Sequence, residues 1–280
     1  MFKGFNLTLT NVEIDRLTDN NVTYTFQDKK AEIAEIRGIM KGNALRTIDN
    51  FINDEGIIDA TSLMKEWFPT VKADVFISHS HQDEELAIQL ATWLKNTFNL
   101  NSFIDSTVWG YAGELLKNID EKYCYDTVSK VYNYNTRNFS TSHVHIMLSS
   151  ALNTMIDQTE CLIFLNTTNS LNIGDSISQK TFSPWIFNEI MTSSIVRKHY
   201  PRKELVHKTT DFQNKEERNL PNFAYDLDLN HLKNINLKEL ESWQTAYKAD
   251  VLIANMTQNK NHPLDLLYFN YAELRGLYGK

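Results

Sequence analysis

From Asp74 onward the apolar positions of the chain fall into a repeating strand-then-helix pattern. Asp74-Val75-Phe76-Ile77-Ser78 is a short run rich in β-formers, and behind it Leu86, Leu90, Trp93 and Leu94 recur at helical spacing. Ser80, with Asp83 three residues on, reads as the cap of that helix. A second strand-like run, Ser102-Phe103-Ile104-Asp105, leads into a loop with Trp109, Gly110 and Gly113, then a short helix through Leu115, Leu116 and Ile119. Val144, Leu148, Leu152, Met155 and Ile156 mark an amphipathic helix that ends before a third apolar run, Cys161-Leu162-Ile163-Phe164-Leu165. A polar loop follows, and Ser183-Pro184 then reads as the cap and first position of another helix.

Alternation of this kind predicts an α/β fold with a largely parallel sheet covered by helices on both faces. In such sheets ligands bind beyond the carboxyl ends of the strands. The three runs end at Ser78, Asp105 and Asn166, so these residues and the helix after the third are expected along one edge. Residues 1–71 read as a mainly helical N-terminal extension, with a strand at Val22–Phe26 and helices through Ile33, Ile36, Met40 and through Leu45, Ile48, Phe51, Ile52. Residues 72–280 form the main domain. Within it residues 201–234 read as charged and irregular. Asn236 and Glu239 form a capping box for a helix through Leu237, Leu240, Trp243 and Tyr247, Val251–Asn255 reads as a last strand, and Pro263 opens a terminal helix.

Composition narrows the function classes. With 280 residues, 42% hydrophobic and 22% charged, the chain can bury a large core. A net charge of −7 without a long Lys/Arg cluster argues against a nucleic-acid partner. The first residues lack an apolar h-region and no run has the length of a membrane span, so the expectation is a cytoplasmic protein without a membrane partner. Two cysteines, Cys124 and Cys161, support neither a disulfide framework nor a cysteine-based zinc site.

The candidate chemistry centres on one helix. Trp185 and Glu189 stand at i and i+4, an aromatic ring and a carboxylate on one face. From spacing alone a solvated glutamate and a core tryptophan are the commoner outcome. His79-Ser-His81 and His143-Val-His145 raise a metal site, but two histidines two residues apart on a helix diverge by about 200°, so no metal is expected. The Gly-rich dinucleotide fingerprint is absent, which removes support for hydride transfer on a Rossmann site.

Taken in order, Asp74-Val75-Phe76-Ile77-Ser78-His79-Ser80, Phe103-Ile104-Asp105, Cys161-Leu162-Ile163-Phe164-Leu165 and Ser183-Pro184-Trp185 with Glu189 resemble the successive motifs of Toll/interleukin-1 receptor (TIR) domains. The similarity covers residues 72–200, leaves residues 1–71 outside it and makes residues 120–141 look like an insertion, with C-terminal elaboration after the core. It is greatest to bacterial TIR proteins that cleave NAD+, including sensors of Thoeris-type antiphage defence. The resemblance implies a flavodoxin-like fold and NAD+ as substrate, with no further cofactor. It makes Glu189 the catalytic residue and Asp105 the start of a loop that shapes the pocket and mediates assembly. Self-association through TIR surfaces, a phage-derived trigger and a downstream effector that reads a nucleotide product are implied as partners.

The chemistry is consistent with a lone carboxylate. Nicotinamide leaves NAD+ as a neutral molecule, so the acid of an ordinary glycosidase pair is not needed. A carboxylate about 4 Å from the developing ribosyl cation, at an effective dielectric near 20, supplies roughly 4 kcal/mol, about a thousandfold in rate. Glu189 takes that role, and Trp185 stacks on nicotinamide or walls the pocket. Ser78, His79 and Ser80 stand where amides and a helix dipole favour a pyrophosphate, and Asp105 and Trp109 form a mobile rim. Asp105 is equally well read as a turn former. Hydrolysis to ADP-ribose and cyclisation to a cyclic ADP-ribose isomer both remain open. So do a non-catalytic TIR interaction module and another N-glycosyl transferase.

Overall fold

The computed structural model describes residues 1–17, 24–44, 48–104, 106–171, 180–199, 224–257 and 260–269. Five parallel strands form its sheet: β1 (Lys3–Leu7), β2 (Val75–Ser78), β3 (Ser102–Ile104), β4 (Cys161–Leu165) and β5 (Lys233–Ile235), in the order β3-β2-β4-β1-β5. The helices are α1 (Asn11–Leu17), α2 (Phe26–Ala44), α3 (Ala60–Trp67), α4 (Glu84–Phe98), α5 (Ser106–Tyr123), α6 (Tyr134–Gln158), α7 (Pro184–Ile195), α8 (Leu237–Thr257) and α9 (Pro263–Phe269). This is the α/β architecture expected from the alternation, compatible with a flavodoxin-like fold.

Strand residues divide between the two faces with a period of two, as pleating requires. Phe5, Leu7, Val75, Ile77, Cys161, Ile163 and Leu165 join Ile14 of α1, Leu90 of α4, Trp243 of α8 and Leu267 of α9 in one core. Phe76, Leu162 and Phe164 join Leu63 of α3, Leu115 of α5, Leu148 of α6 and Ile186 of α7 in the other. The first core is tied together by aromatic packing. Phe98 stacks on Trp243 with centroids 3.8 Å apart, and the Trp243 indole donates to the Pro263 carbonyl at 2.8 Å.

Connectivity creates a switch in direction. From β2 the chain passes through α4, on one face, to β3, and returns through α5 and α6, on the other face, to β4 on the far side of β2. The crevice between the carboxyl ends of β2 and β4 is therefore where an open parallel sheet offers a ligand site.

Several expectations change. The described part of residues 1–71 is mainly helical, but it also supplies β1, paired with β4 from Lys3↔Cys161 to Leu7↔Leu165 and with β5 on its other side. A boundary at residue 71 thus cuts through the sheet instead of separating an appendage from it. Of the strand expected at Val22–Phe26, residues 22 and 23 lie outside the described residues, and the rest is not a strand. Tyr24 is a bend, Thr25 is irregular and its side chain accepts from the Asp28 amide at 3.2 Å, and Phe26 opens α2. Of the helix expected through Leu45, Ile48, Phe51 and Ile52, residues 45–47 lie outside the described residues and Ile48–Phe51 is a 3-10 turn.

Val251–Asn255 is not a strand but the continuation of α8. The Asn236–Glu239 capping box forms, with the Asn236 amide donating to Glu239 at 2.9 Å, and no breaker interrupts the helix before Thr257. Leu252 and Ile253 are 65% and 59% exposed, so their apolar character does not mark a buried strand. Lys233–Ile235, which begins in the last two residues of the stretch read as irregular, supplies β5. Residues 120–141 contain the end of α5, a hairpin pairing Tyr125 with Tyr132 and the start of α6, whose cap is the Asn133 side chain. No described helix is long and apolar enough to cross a membrane.

The inner position of β1 has a measurable consequence. Phe5 is fully buried in the middle of the sheet, and Phe5→Ala is expected to cost about 3–5 kcal/mol of unfolding free energy in urea titrations. A cost below about 1 kcal/mol would show that the sheet does not depend on this strand.

Candidate functional site at the carboxyl end of the sheet

The site follows from strand parity. Val75 and Ile77 face the α4 side of the sheet, so Phe76 and Ser78 face the α7 side. Ser78 is the last residue of β2, opposite Phe164 of β4. On α7 the Ser183 side chain accepts from the Ile186 amide at 3.3 Å and Pro184 occupies the first turn, as the sequence predicts. Ile186 and Ile190 enter the core on this side, and that orientation turns Glu189 toward the strand ends. Ser78 Oγ donates to Glu189 Oε2 at 2.7 Å, and both residues have 0% exposure. Removing a charged carboxylate from water costs several kcal/mol unless hydrogen bonds compensate, and the Ser78 hydroxyl supplies one.

Three further anchors hold α7. Asn188 Nδ2 donates to Asn153 Oδ1 at 3.1 Å, and Thr192 Oγ1 donates to the same oxygen at 2.7 Å, fixing the helix to α6. Ser193 Oγ lies 2.7 Å from His231 Nε2 in the turn before β5 and donates to the Ile190 carbonyl at 2.8 Å. Phe187 stacks on Tyr225, centroids 4.7 Å apart. Glu189 therefore stands on a helix fixed from both sides.

Of the residues singled out in the sequence, Ser78 and Glu189 are brought into contact. His79, next along, is fully buried with Nδ1 3.4 Å from the Ile77 carbonyl. Ser80 is half-buried and precedes a 3-10 turn, His81–Asp83, without capping it through its side chain. Trp185 is half-buried and meets the His145 ring of α6 edge-on, centroids 5.5 Å apart at 86°, which makes it part of the α6–α7 packing. Trp109 lies in the first turns of α5, whereas Asp105 and the side chain of Trp109 are outside the described residues.

Asp83, expected only as a capping residue, has another role. Its carboxylate accepts from Thr167 Oγ1 and from Asn169 Nδ2, the latter at 2.7 Å. It thereby pins the loop after β4 to the start of α4 across the switch point. The spacing Ser80-x-x-Asp83 resembles a capping box, and no local signal separates the two uses. The terminus where amides were expected to favour a pyrophosphate carries Asp83, Glu84 and Glu85, and their charges offset the attraction of the helix dipole. Ser106, at the start of α5, is a further buried hydroxyl on this edge, without a hydrogen-bond partner among the described residues. Among those residues no group of three or more His, Cys, Asp or Glu side chains is placed to hold a metal ion.

Compared with protein-family models, with curated proteins and with solved structures, the chain gives no match. The geometry of the site therefore stands on its own.

Burial pushes the His231 imidazole below its ordinary value near 6.5, against the opposing pull of Asp228. The unfolded chain takes up this proton first as pH falls, so the stability held by neutral His231 is present above about pH 6.5 and is lost progressively below it. Melting temperatures measured between about pH 7.5 and 5.5 are expected to fall less steeply for His231→Gln than for the wild type. Parallel curves for the two would contradict this assignment.

Proposed function

We propose that this protein cleaves the nicotinamide–ribose bond of NAD+, with Glu189 stabilising the ribosyl cation. The observation that carries the reading is the buried Ser78–Glu189 contact, at the carboxyl end of β2 beside the switch point of a parallel sheet. A carboxylate kept there at a desolvation cost suits a reaction that develops positive charge on carbon. Ser78 orients the carboxylate, leaving it to face the ribose ring once substrate is bound. Nicotinamide departs with the bonding pair as a neutral base. Attack by water gives ADP-ribose and a proton, and attack by a nucleophilic nitrogen or hydroxyl within the same molecule gives a cyclic ADP-ribose isomer, again with release of a proton. We assign the activity to TIR-type nucleotide signalling in the cytoplasm, on the order of motifs from Asp74 to Glu189.

In the structure Glu189 has no exposed surface, so the reaction requires displacement of what covers it when NAD+ binds. That same burial favours a second reading, a TIR-like interaction module in which Glu189 fastens α7 to β2 and catalyses nothing.

The test is incubation of the purified protein with NAD+ and chromatographic resolution of the products, dilute and concentrated with a crowding agent. Glu189→Gln keeps the volume and an acceptor for Ser78, and it is expected to lower turnover about a thousandfold, equivalent to roughly 4 kcal/mol. Equal turnover by both proteins would refute the catalytic role. NAD+ left intact by the wild type under every condition would favour the interaction module.

A further inference from the structure

Away from Glu189, the outer edge of the sheet carries a cavity of about 290 Å³ whose lining includes Lys29, Lys72, Lys95, Glu32, Asn101 and Ser102. Ser102 opens β3, the edge strand, and pairs in register with Val75, three residues before Ser78. At about 3.3 Å per residue the cavity's Ser102 end lies some 10 Å back along the sheet from the Ser78–Glu189 contact.

Three features of the lining point to an anionic ligand. The chain has a net charge of −7, yet this cavity gathers three lysines against one carboxylate. Lys29 is 4% exposed, and its ammonium is held by Glu32 Oε1 at 2.8 Å and by the Ser102 carbonyl at 3.1 Å. It is thus a fixed cation and not a solvated one.

Glu32 is committed to its neighbours. Burial pushes its carboxyl up, but hydrogen bonds from Lys29 and Tyr24 and the charges of Lys29 and Lys95 hold it below its usual value. Glu32 offsets one ammonium, and the lining keeps the positive charge of two. Lys95 reaches Asn101 Oδ1 at 3.0 Å, which brings its head group to the cavity wall.

The third feature is the Ser102 hydroxyl. It is buried, and among the described residues it has no hydrogen-bond partner. A buried hydroxyl left unsatisfied is uncommon and calls for a partner. An oxyanion seated between the lysines supplies acceptor oxygens to the ammonium groups and, once the Ser102 side chain turns about its Cα–Cβ bond toward the cavity, to its hydroxyl as well. The volume is at the low end of small-molecule sites, which run from about 300 to 1,000 Å³, so the ligand is compact.

We propose that this cavity is a binding site for a compact oxyanion of the phosphate class, a phosphomonoester or a diphosphate. Lys29 is the fixed cation, Lys72 and Lys95 are the closing cations, and Ser102 is the hydroxyl donor. The site is separate from Glu189 and does not depend on NAD+ cleavage.

Isothermal titration of the full chain with inorganic phosphate and with pyrophosphate, at constant ionic strength set by chloride, tests the proposal. The wild type is expected to bind at least one of these anions saturably. Lys72→Ala/Lys95→Ala is expected to weaken that binding about tenfold or more, while Lys65→Ala/Lys117→Ala, with the same net charge and exposed lysines elsewhere, stays within about twofold. Ser102→Ala, which leaves every charge in place, is expected to weaken it several-fold. Tighter binding of pyrophosphate assigns a diphosphate, and equal binding of the two assigns a single phosphoryl group. Absence of saturable binding by the wild type up to about 10 mM would overturn the proposal. So would retention of affinity in Lys72→Ala/Lys95→Ala, or the same loss in both double variants.

Discussion

A carboxylate with no exposed surface, held against the end of a buried parallel strand, is the constraint around which this structure is arranged. Glu189 reaches that position because β2 ends with Ser78 on the α7 side and because α7 begins at Ser183-Pro184, which sets its rotation. Asn153 and His231 then hold α7 from two further directions. Such a group is costly to bury, and the hydroxyl that compensates it comes from a strand more than a hundred residues earlier. The contact thus couples two distant segments at the place where strand order reverses.

The legible part of the fold was the part governed by a simple period. Val75–Ser78, Ser102–Ile104 and Cys161–Leu165 stand out because strands buried on both faces are continuously apolar. α4 and α6 stand out because their apolar residues recur every three to four positions, and α7 because Ser183-Pro184 marks its start. β1 escaped for the opposite reason. Lys3, Gly4 and Asn6 interrupt its apolar residues, although Lys3 and Asn6 are themselves buried and Asn6 donates to Asn234 of β5 at 2.8 Å. At Gly4 a Cβ would stand 2.3 Å from Leu232 Cδ2, so a side chain is traded for close approach of the neighbouring turn. Lys233–Ile235 is too short and polar to announce a strand, and Val251–Asn255 shows how an apolar run without a breaker stays helical.

The candidate site was legible to a similar degree. Glu189 and Ser78 could be placed on one edge from strand ends and helix spacing, but their direct contact depends on strand parity and helix rotation together. Trp185 shares a helical face with Glu189 in sequence, yet its ring packs edge-on against His145 of α6 while Glu189 meets Ser78 at the strand end. Asp83 was hidden because a carboxylate three residues after a serine serves a cap and a long-range tether equally well.

Polar groups thus divide between the two ends of one sheet. At the carboxyl end a buried acid is held by the Ser78 hydroxyl, and at the outer edge near the start of β3 the buried Lys29 ammonium is held by the carbonyl of Ser102, whose hydroxyl has no hydrogen-bond partner among the described residues. The claim at the centre of this account is that Glu189 faces the ribose of bound NAD+. The most direct test is a crystal structure of the Glu189→Gln protein with NAD+ bound. The account predicts the nicotinamide ribose at the ends of β2 and β4, with its anomeric carbon about 4 Å from the side chain of residue 189. NAD+ bound elsewhere, with this side chain still enclosed between Ser78 and α7, would contradict it.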